Sequence, residues 1–97
     1  IFTPETYYPD HHLNVRVFVD VYGIPEDPAT GSANGCLAGY LVKHRFFGID
    51  QINLQVEQGY EVGRPALLYL QAQSVDNQVA VRVGGRVQWV ARGEWDF

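Results

Sequence analysis

A carboxylate, a threonine, a glycine and a serine stand together where a helix-forming stretch begins: Glu26-Asp27-Pro28-Ala29-Thr30-Gly31-Ser32-Ala33. A Gly-Ser turn at a helix start leaves backbone N–H groups pointing outward. With the positive end of the helix dipole they form an anion site. Gly31 allows a ligand to come close, Ser32 adds a hydroxyl donor, and the small Ala33 keeps the mouth open. Such a site suits a carboxylate or a phosphate. Asp27, beside it, can hold a substrate amine or hydroxyl, or take part in proton transfer. The same residue types also serve simple capping. Asp27 is a good N-cap with Pro28 at the first helical position, and Thr30 or Ser32 could cap a later start. Spacing alone admits both readings. The loop is not a Walker A sequence, because no lysine follows the glycine.

These residues must be positioned by what flanks them. Before the loop, Leu13, Val15, Val17 and Val19 alternate with Asn14, Arg16, Phe18 and Asp20, which predicts a strand over 13–20. Phe18 on the polar face suggests that this face also meets protein or ligand. Residues 23–31 read as a loop, with glycine at both ends and two prolines. A helix is expected over 32–47, with Gly48 as its C′ residue and Lys43, His44 and Arg45 in the last turn, where cations suit the dipole. It is apolar nearly all round, which predicts burial on several sides. Alternating strands follow at 52–58, 66–74 and 78–83, with a turn at Asp76-Asn77. Gly84-Gly85 predicts a further hairpin into a strand over 86–93. Residues 1–12 read as a connecting loop. The class is α+β: five strands and one apolar helix that needs cover on several sides, which a sheet curling around it would supply, with too few strands to close and therefore with unpaired edges.

Composition narrows the function classes. Ninety-seven residues support one core, hence one domain at most. A formal charge of −4, with basic residues scattered, argues against a nucleic-acid module. No apolar run approaches a membrane span, and no stretch reads as a signal peptide. Cys36 is the single cysteine, so no internal disulfide forms, and three scattered histidines give no zinc pattern. A reduced, cytoplasmic setting is expected. The chain contains no methionine, even at position 1. It is therefore expected to be a piece of something longer.

The octet at 26–33 resembles the hallmark of the PhzF-like family of phenazine biosynthesis proteins, within the diaminopimelate epimerase-like superfamily. The resemblance extends to Val15-Arg16-Val17-Phe18, Gly23-Ile24, Leu37-Ala38-Gly39-Tyr40-Leu41, Gln58-Gly59, Gly63-Arg64-Pro65, Val83-Gly84-Gly85 and Gly93-Glu94. It implies a two-lobed enzyme, each lobe a curved mixed sheet wrapped around a central helix, with the site in the cleft. Residues 1–97 would then be a single partial domain, the C-terminal lobe without its early strands, lacking the N-terminal lobe as its natural partner. The implied activity is a cofactor-independent, metal-free isomerisation that moves a proton on a small carboxylate substrate. Asp27 and Ser32 fall on family active-site positions, and the backbone of Gly31, Ser32 and Ala33 on the substrate-anion site. The principal acid–base glutamate belongs to the missing lobe, and Glu26 is not it. A homodimer through unpaired strand edges is a further expectation.

Two departures bear on the reaction. Superfamily epimerases oppose two cysteines, and Thr30 stands where the second-lobe thiol would be. A threonine hydroxyl is too weakly acidic for that role, which argues against a two-thiol amino-acid epimerase. Many relatives carry His after Ser-Ala, where this chain has Asn34, a difference that suggests substrate tuning. A non-catalytic carboxylate-binding protein is the other alternative. Cys36 is expected as a small buried core residue, His11-His12 as a surface pair, Arg64 as structural, Trp89 and Trp95 as core or interface aromatics, and Arg16 as facing the cleft.

Overall fold

The computed structural model describes residues 1–97. Its elements in chain order are β1 (Phe2–Thr3), β2 (Leu13–Val15), β3 (Val17–Val19), β4 (Ile24–Asp27), α1 (Gly31–Lys43), β5 (Gln51–Gln58), β6 (Ala66–Val75) and β7 (Gln78–Gly85). Five strands form one mixed sheet in the order β1-β2-β5-β6-β7, and β3 and β4 form a separate hairpin. Only β2 and β5 run parallel; the other pairs are antiparallel. The fold is α+β, with an open sheet and a single α-helix. No helix is long and apolar enough to cross a membrane.

Period-two patterning explains the sheet. Ile52, Leu54 and Val56 of β5 pair with Ala72, Leu70 and Leu68 of β6, and all six sit on one buried face. Leu13 pairs with Val56 and Val15 with Gln58, so β2 extends the same face. On it lies α1, packed against β6 and β7. Gly35 and Gly39 bring the helix close to Val81 and Val83: a Cβ on Gly35 would sit 3.6 Å from the Val83 side chain. Each fully buried leucine here (Leu13, Leu41, Leu70) contributes about 1.5–3 kcal/mol.

Several expectations are corrected. The helix is not buried all round. Asn34, Ala38, Leu41 and Val42 form one buried stripe, while Cys36, Tyr40 and Lys43 are exposed. The sheet covers a single side of α1, so Cys36 is an exposed thiol rather than a core residue. The helix also stops earlier than expected, at Lys43. Arg45, at φ 50°, takes the left-handed position that closes the helix; Gly48 is left-handed too, at φ 75°, but lies three residues beyond it. The N–H of Phe46 bonds to Leu41 O, and that of Arg45 to Val42 O, which is a Schellman closure built on an arginine.

The strand expected over 13–20 breaks at Arg16. Its N–H bonds to Ile1 O at 3.0 Å, and the chain then leaves the main sheet for the β3–β4 hairpin. Ile24–Asp27, expected as loop, is the second strand of that hairpin. Pro25 is tolerated because the pairing is short and irregular. Asp76 and Asn77 form the expected turn, with φ 49° and 62°. Gly84 and Gly85 do not turn: they remain in β7, opposite Tyr69 and Leu68, and neither has positive φ. Residues 86–97 form no strand and are exposed, so Trp89 and Trp95 lie outside the core.

Two contacts fix the remaining chain. Residues 4–12 cross the sheet face opposite the helix and are tied to the wholly buried Glu57. Its carboxylate accepts from Tyr7 N at 2.8 Å, Tyr8 N at 3.0 Å, His11 Nδ1 at 2.6 Å and, weakly, Asn14 Nδ2 at 3.4 Å. Burial alone would push this carboxyl up, but the donors together, led by Tyr7 N–H and His11, hold it below its ordinary range. Of the loop pair expected at the surface, His12 is exposed and pairs with Gln55 through its backbone N–H and its ring, while His11 is half-buried and holds Glu57. Tyr7 stacks on Tyr60 at 4.7 Å. On the other side, Gly59 at φ 82° lies beneath the β4–α1 loop. A Cβ there would meet Pro28 O at 2.6 Å and Arg64 O at 2.3 Å.

Gly59→Ala therefore combines a left-handed φ with a backbone clash. In the complete protein it is expected to lose at least about 2 kcal/mol, read as a lower urea midpoint. Gly31→Ala, which meets nothing within 4 Å, is expected to leave the midpoint near wild type. For Glu57 the folded carboxyl titrates below the unfolded one. It stabilises the fold above the ordinary glutamate range, and that stabilisation fades as pH falls, from about pH 5 downward. Glu57→Gln is expected to lower stability at neutral pH and to flatten the acid limb of urea midpoint against pH. An unchanged limb would show that Glu57 does not carry it.

Candidate active site

The segment joining β4 to α1 is held by one side chain from β5. Gln58 is the last residue of β5, on the face where Ile52, Leu54 and Val56 are apolar, and it is wholly buried. Its Nε2 donates to Asp27 O at 2.7 Å and to Thr30 Oγ1 at 2.9 Å. Its Oε1 accepts from Thr30 N at 3.2 Å and from Asn34 Nδ2 at 2.7 Å. Two donors and two acceptors exhaust what a primary amide offers. The amide orientation is fixed by its backbone partners, because Asp27 C=O can only accept and Thr30 N–H can only donate.

Thr30 is the N-cap of α1, with φ −115° and ψ 100°, and no side chain caps the helix. Asp27 is thus not the N-cap, nor is Pro28 the first helical residue. The Thr30 hydroxyl is turned away from the helix and donates to Asp27 Oδ2. Asn34 closes the first turn from behind. Its N–H bonds to Thr30 O at 3.2 Å, and its Nδ2 to the same oxygen at 2.9 Å. Asn34 is wholly buried, its Oδ1 without a hydrogen-bond partner, so it supports the loop from within and does not line an open mouth.

What remains on the outside is the expected donor set. Gly31 and Ser32 are exposed and Ala33 partly so, at the first three positions of α1, where N–H groups have no intrahelical acceptor. Asp27 Oδ2 is taken by Thr30, while Oδ1 receives no donor from the chain. One carboxylate oxygen and three backbone N–H groups thus share the helix start, where the macrodipole favours an anion. An approaching carboxylate would meet donors from α1 and a fixed acceptor from β4.

The neighbouring acid is placed differently. Adjacent strand residues point to opposite sides, and Glu26 turns from Asp27 to meet Arg16. The pair is bidentate, with Nε to Oε1 at 2.9 Å and Nη2 to Oε2 at 2.8 Å. The guanidinium hydrogen bond holds the Glu26 carboxyl below its ordinary range, against the opposing effect of burial. Arg16 also lies 5.0 Å from the Phe18 ring centroid, which accounts for an aromatic on the polar face. Both ends of this fork are occupied, so Glu26 is a poor candidate for acid–base work and Arg16 serves the hairpin. Arg64 is exposed, and its main chain packs on Gly59. A separate cavity of about 340 Å³ lies among Thr3, Thr6, Tyr7, Asn14, Arg16 and Glu61, and no residue of 27–33 lines it.

Sequence reasoning put forward Asp27, Ser32 and the N–H donors, and the structure brings Asp27 and the helix start together through Thr30. It missed the role of Gln58, which was visible only as part of a Gln-Gly pattern. A glutamine ending the apolar face of β5, before a glycine, was the available signal.

The chain is similar to known proteins over most of its length. The sequence pattern of the family described as phenazine biosynthesis-like protein matches residues 2–93. The trans-2,3-dihydro-3-hydroxyanthranilate isomerase of Pseudomonas aeruginosa is 41% identical over 83 residues, covering 84% of this chain and 30% of its own length. An uncharacterized isomerase of Pasteurella multocida is 40% identical over 85 residues, covering 87% of this chain and 27% of its own length. Another, from Bacillus subtilis, is 35% identical over 85 residues. The chain thus spans 30% or less of the length of these curated relatives.

Proposed function

The chain belongs to the phenazine biosynthesis-like protein family, and from this we propose that the complete protein is an isomerase that moves a proton between carbons of a small carboxylate-bearing substrate. The supporting observation is the uncapped start of α1, with the N–H groups of Gly31, Ser32 and Ala33 beside the fixed carboxylate of Asp27. In this reading the three N–H groups and the Ser32 hydroxyl hold the substrate carboxylate. Asp27 Oδ1 takes or shares a proton, or orients a substrate amine or hydroxyl. The principal acid–base residue faces them from the other lobe, across a cleft whose second wall lies outside residues 1–97. No cofactor or metal enters the reaction. The curved sheet wrapped round the helix, the C-terminal position of this lobe, a cytoplasmic setting and pairing of two chains through unpaired strand edges belong to the same proposal.

Amino-acid epimerisation is disfavoured by a specific contact. The Thr30 hydroxyl donates to Asp27 and accepts from Gln58, so it is committed within the loop and is not poised at a substrate carbon.

The test uses the complete protein in deuterated water with trans-2,3-dihydro-3-hydroxyanthranilate, following label uptake by NMR. Wild type is expected to exchange and isomerise, and Asp27→Ala to lose about 100-fold or more in rate. Ser32→Ala, which removes a hydrogen bond to a charged group, is expected to raise KM about tenfold. Residues 1–97 alone are expected to show no turnover. Equal exchange by wild type and Asp27→Ala would defeat the assignment of Asp27. Tight carboxylate binding without exchange would favour a binding protein.

A further inference from the structure

We propose that Gln58 is a positioning residue that sets the direction of a hydrogen-bond chain, Gln58 to Thr30 to Asp27, and thereby the pose of the Asp27 carboxylate. The inference rests on the isomerase reading above and adds a residue that never touches substrate. The direction follows from proton count. Gln58 Nε2 can only donate, and it gives one hydrogen to Thr30 Oγ1 at 2.9 Å. The Thr30 hydroxyl has a single hydrogen, and Asp27 Oδ2 is the acceptor that receives it. The carboxylate is thus anchored at Oδ2, and Oδ1 is the oxygen left for chemistry. The other half of the amide works on the donors. Gln58 Oε1 consumes the Thr30 N–H, so the anion site begins at Gly31. The second Nε2 hydrogen holds Asp27 O, fixing the end of β4 to the end of β5. Gln58 itself is wholly buried, and its four bonds together allow the amide one orientation only.

The test is a double-mutant cycle on the complete protein. Gln58→Met keeps the volume and removes the donors; Thr30→Val keeps the shape and removes the hydroxyl. Each is expected to lower kcat about 10- to 30-fold with KM within about threefold. The double variant is expected to fall no further than about threefold below the weaker single, because both break one chain. Thr30→Ser is expected to recover most of the Thr30→Val loss. Additive losses would overturn the proposal, as would Thr30→Val matching Thr30→Ser. If Gln58→Met does not fold, the Thr30 pair decides in the same terms. An inactive wild type would defeat the isomerase reading instead. Amide hydrogen exchange then decides this one: loss of Thr30 N–H protection in Gln58→Met supports the clamp, and unchanged protection overturns it.

Discussion

The amide of Gln58 is the point on which the site depends. The alternation of β5 calls for an apolar side chain at this position, and the chain places there a group whose four hydrogen-bonding positions are all filled. A buried amide left unpaired would lose about 1–3 kcal/mol for each unsatisfied group. The arrangement is therefore nearly all-or-none: the β4–α1 loop is in place with every bond made, or the polar group is exposed. Gly59 completes the constraint. Its missing Cβ lets the Pro28 main chain lie directly on the end of β5. A hydrophobic residue at 58 would pack as well but would leave Thr30 free to cap the helix. The donors of α1 would then be partly spent on the protein itself.

Three carboxylates near the loop show how environment divides labour among identical chemical groups. Glu57 is buried on the far face and surrounded by N–H donors, and Glu26 is forked by Arg16. Both are held ionised and both are fully engaged. Asp27 differs because only one of its oxygens has a protein partner. In a chain of net charge −4, an anion would meet general repulsion. Pairing Glu26 with Arg16 compensates one of the two carboxylates that precede the helix, leaving Asp27 as the other.

Legibility followed the range of the forces involved. The strands at 52–58 and 66–74 and the Asp76-Asn77 turn were readable, because period-two burial and left-handed turn preference are local. The reading of Gly84-Gly85 as a turn failed for a tertiary reason: β6 is long enough to keep both glycines paired. The helix read as buried on all sides because its composition is apolar, yet within these residues a sheet lies on one side only. Asp27, Ser32 and the glycine were legible by type. Gln58 and Asn34 were not, since their partners lie 24 to 31 residues away and neither type announces a structural amide clamp. Thr30 was read from its type as a poor replacement for a thiol. Its actual work, passing a hydrogen bond to Asp27, needed the position of Gln58.

In the proposed reading, the described residues supply the holding half of a proton-transfer site. Donors at the start of α1 would stabilise a negative group without reorganising, because the helix and the Gln58 clamp fix them before any ligand arrives. Moving a proton between two carbons needs in addition a base facing the carbon that loses it, on a side the anchoring donors do not occupy. Glu26 and Glu57 are excluded from that duty by their partners, and Thr30 by its two hydrogen bonds. Only Asp27 Oδ1 and the Ser32 hydroxyl remain on this wall. A single wall with one carboxylate and an anion cradle orients a substrate but leaves its opposite face to solvent. For the proposed reaction, the open side of the site calls for a further wall that covers the reacting carbon and takes its proton.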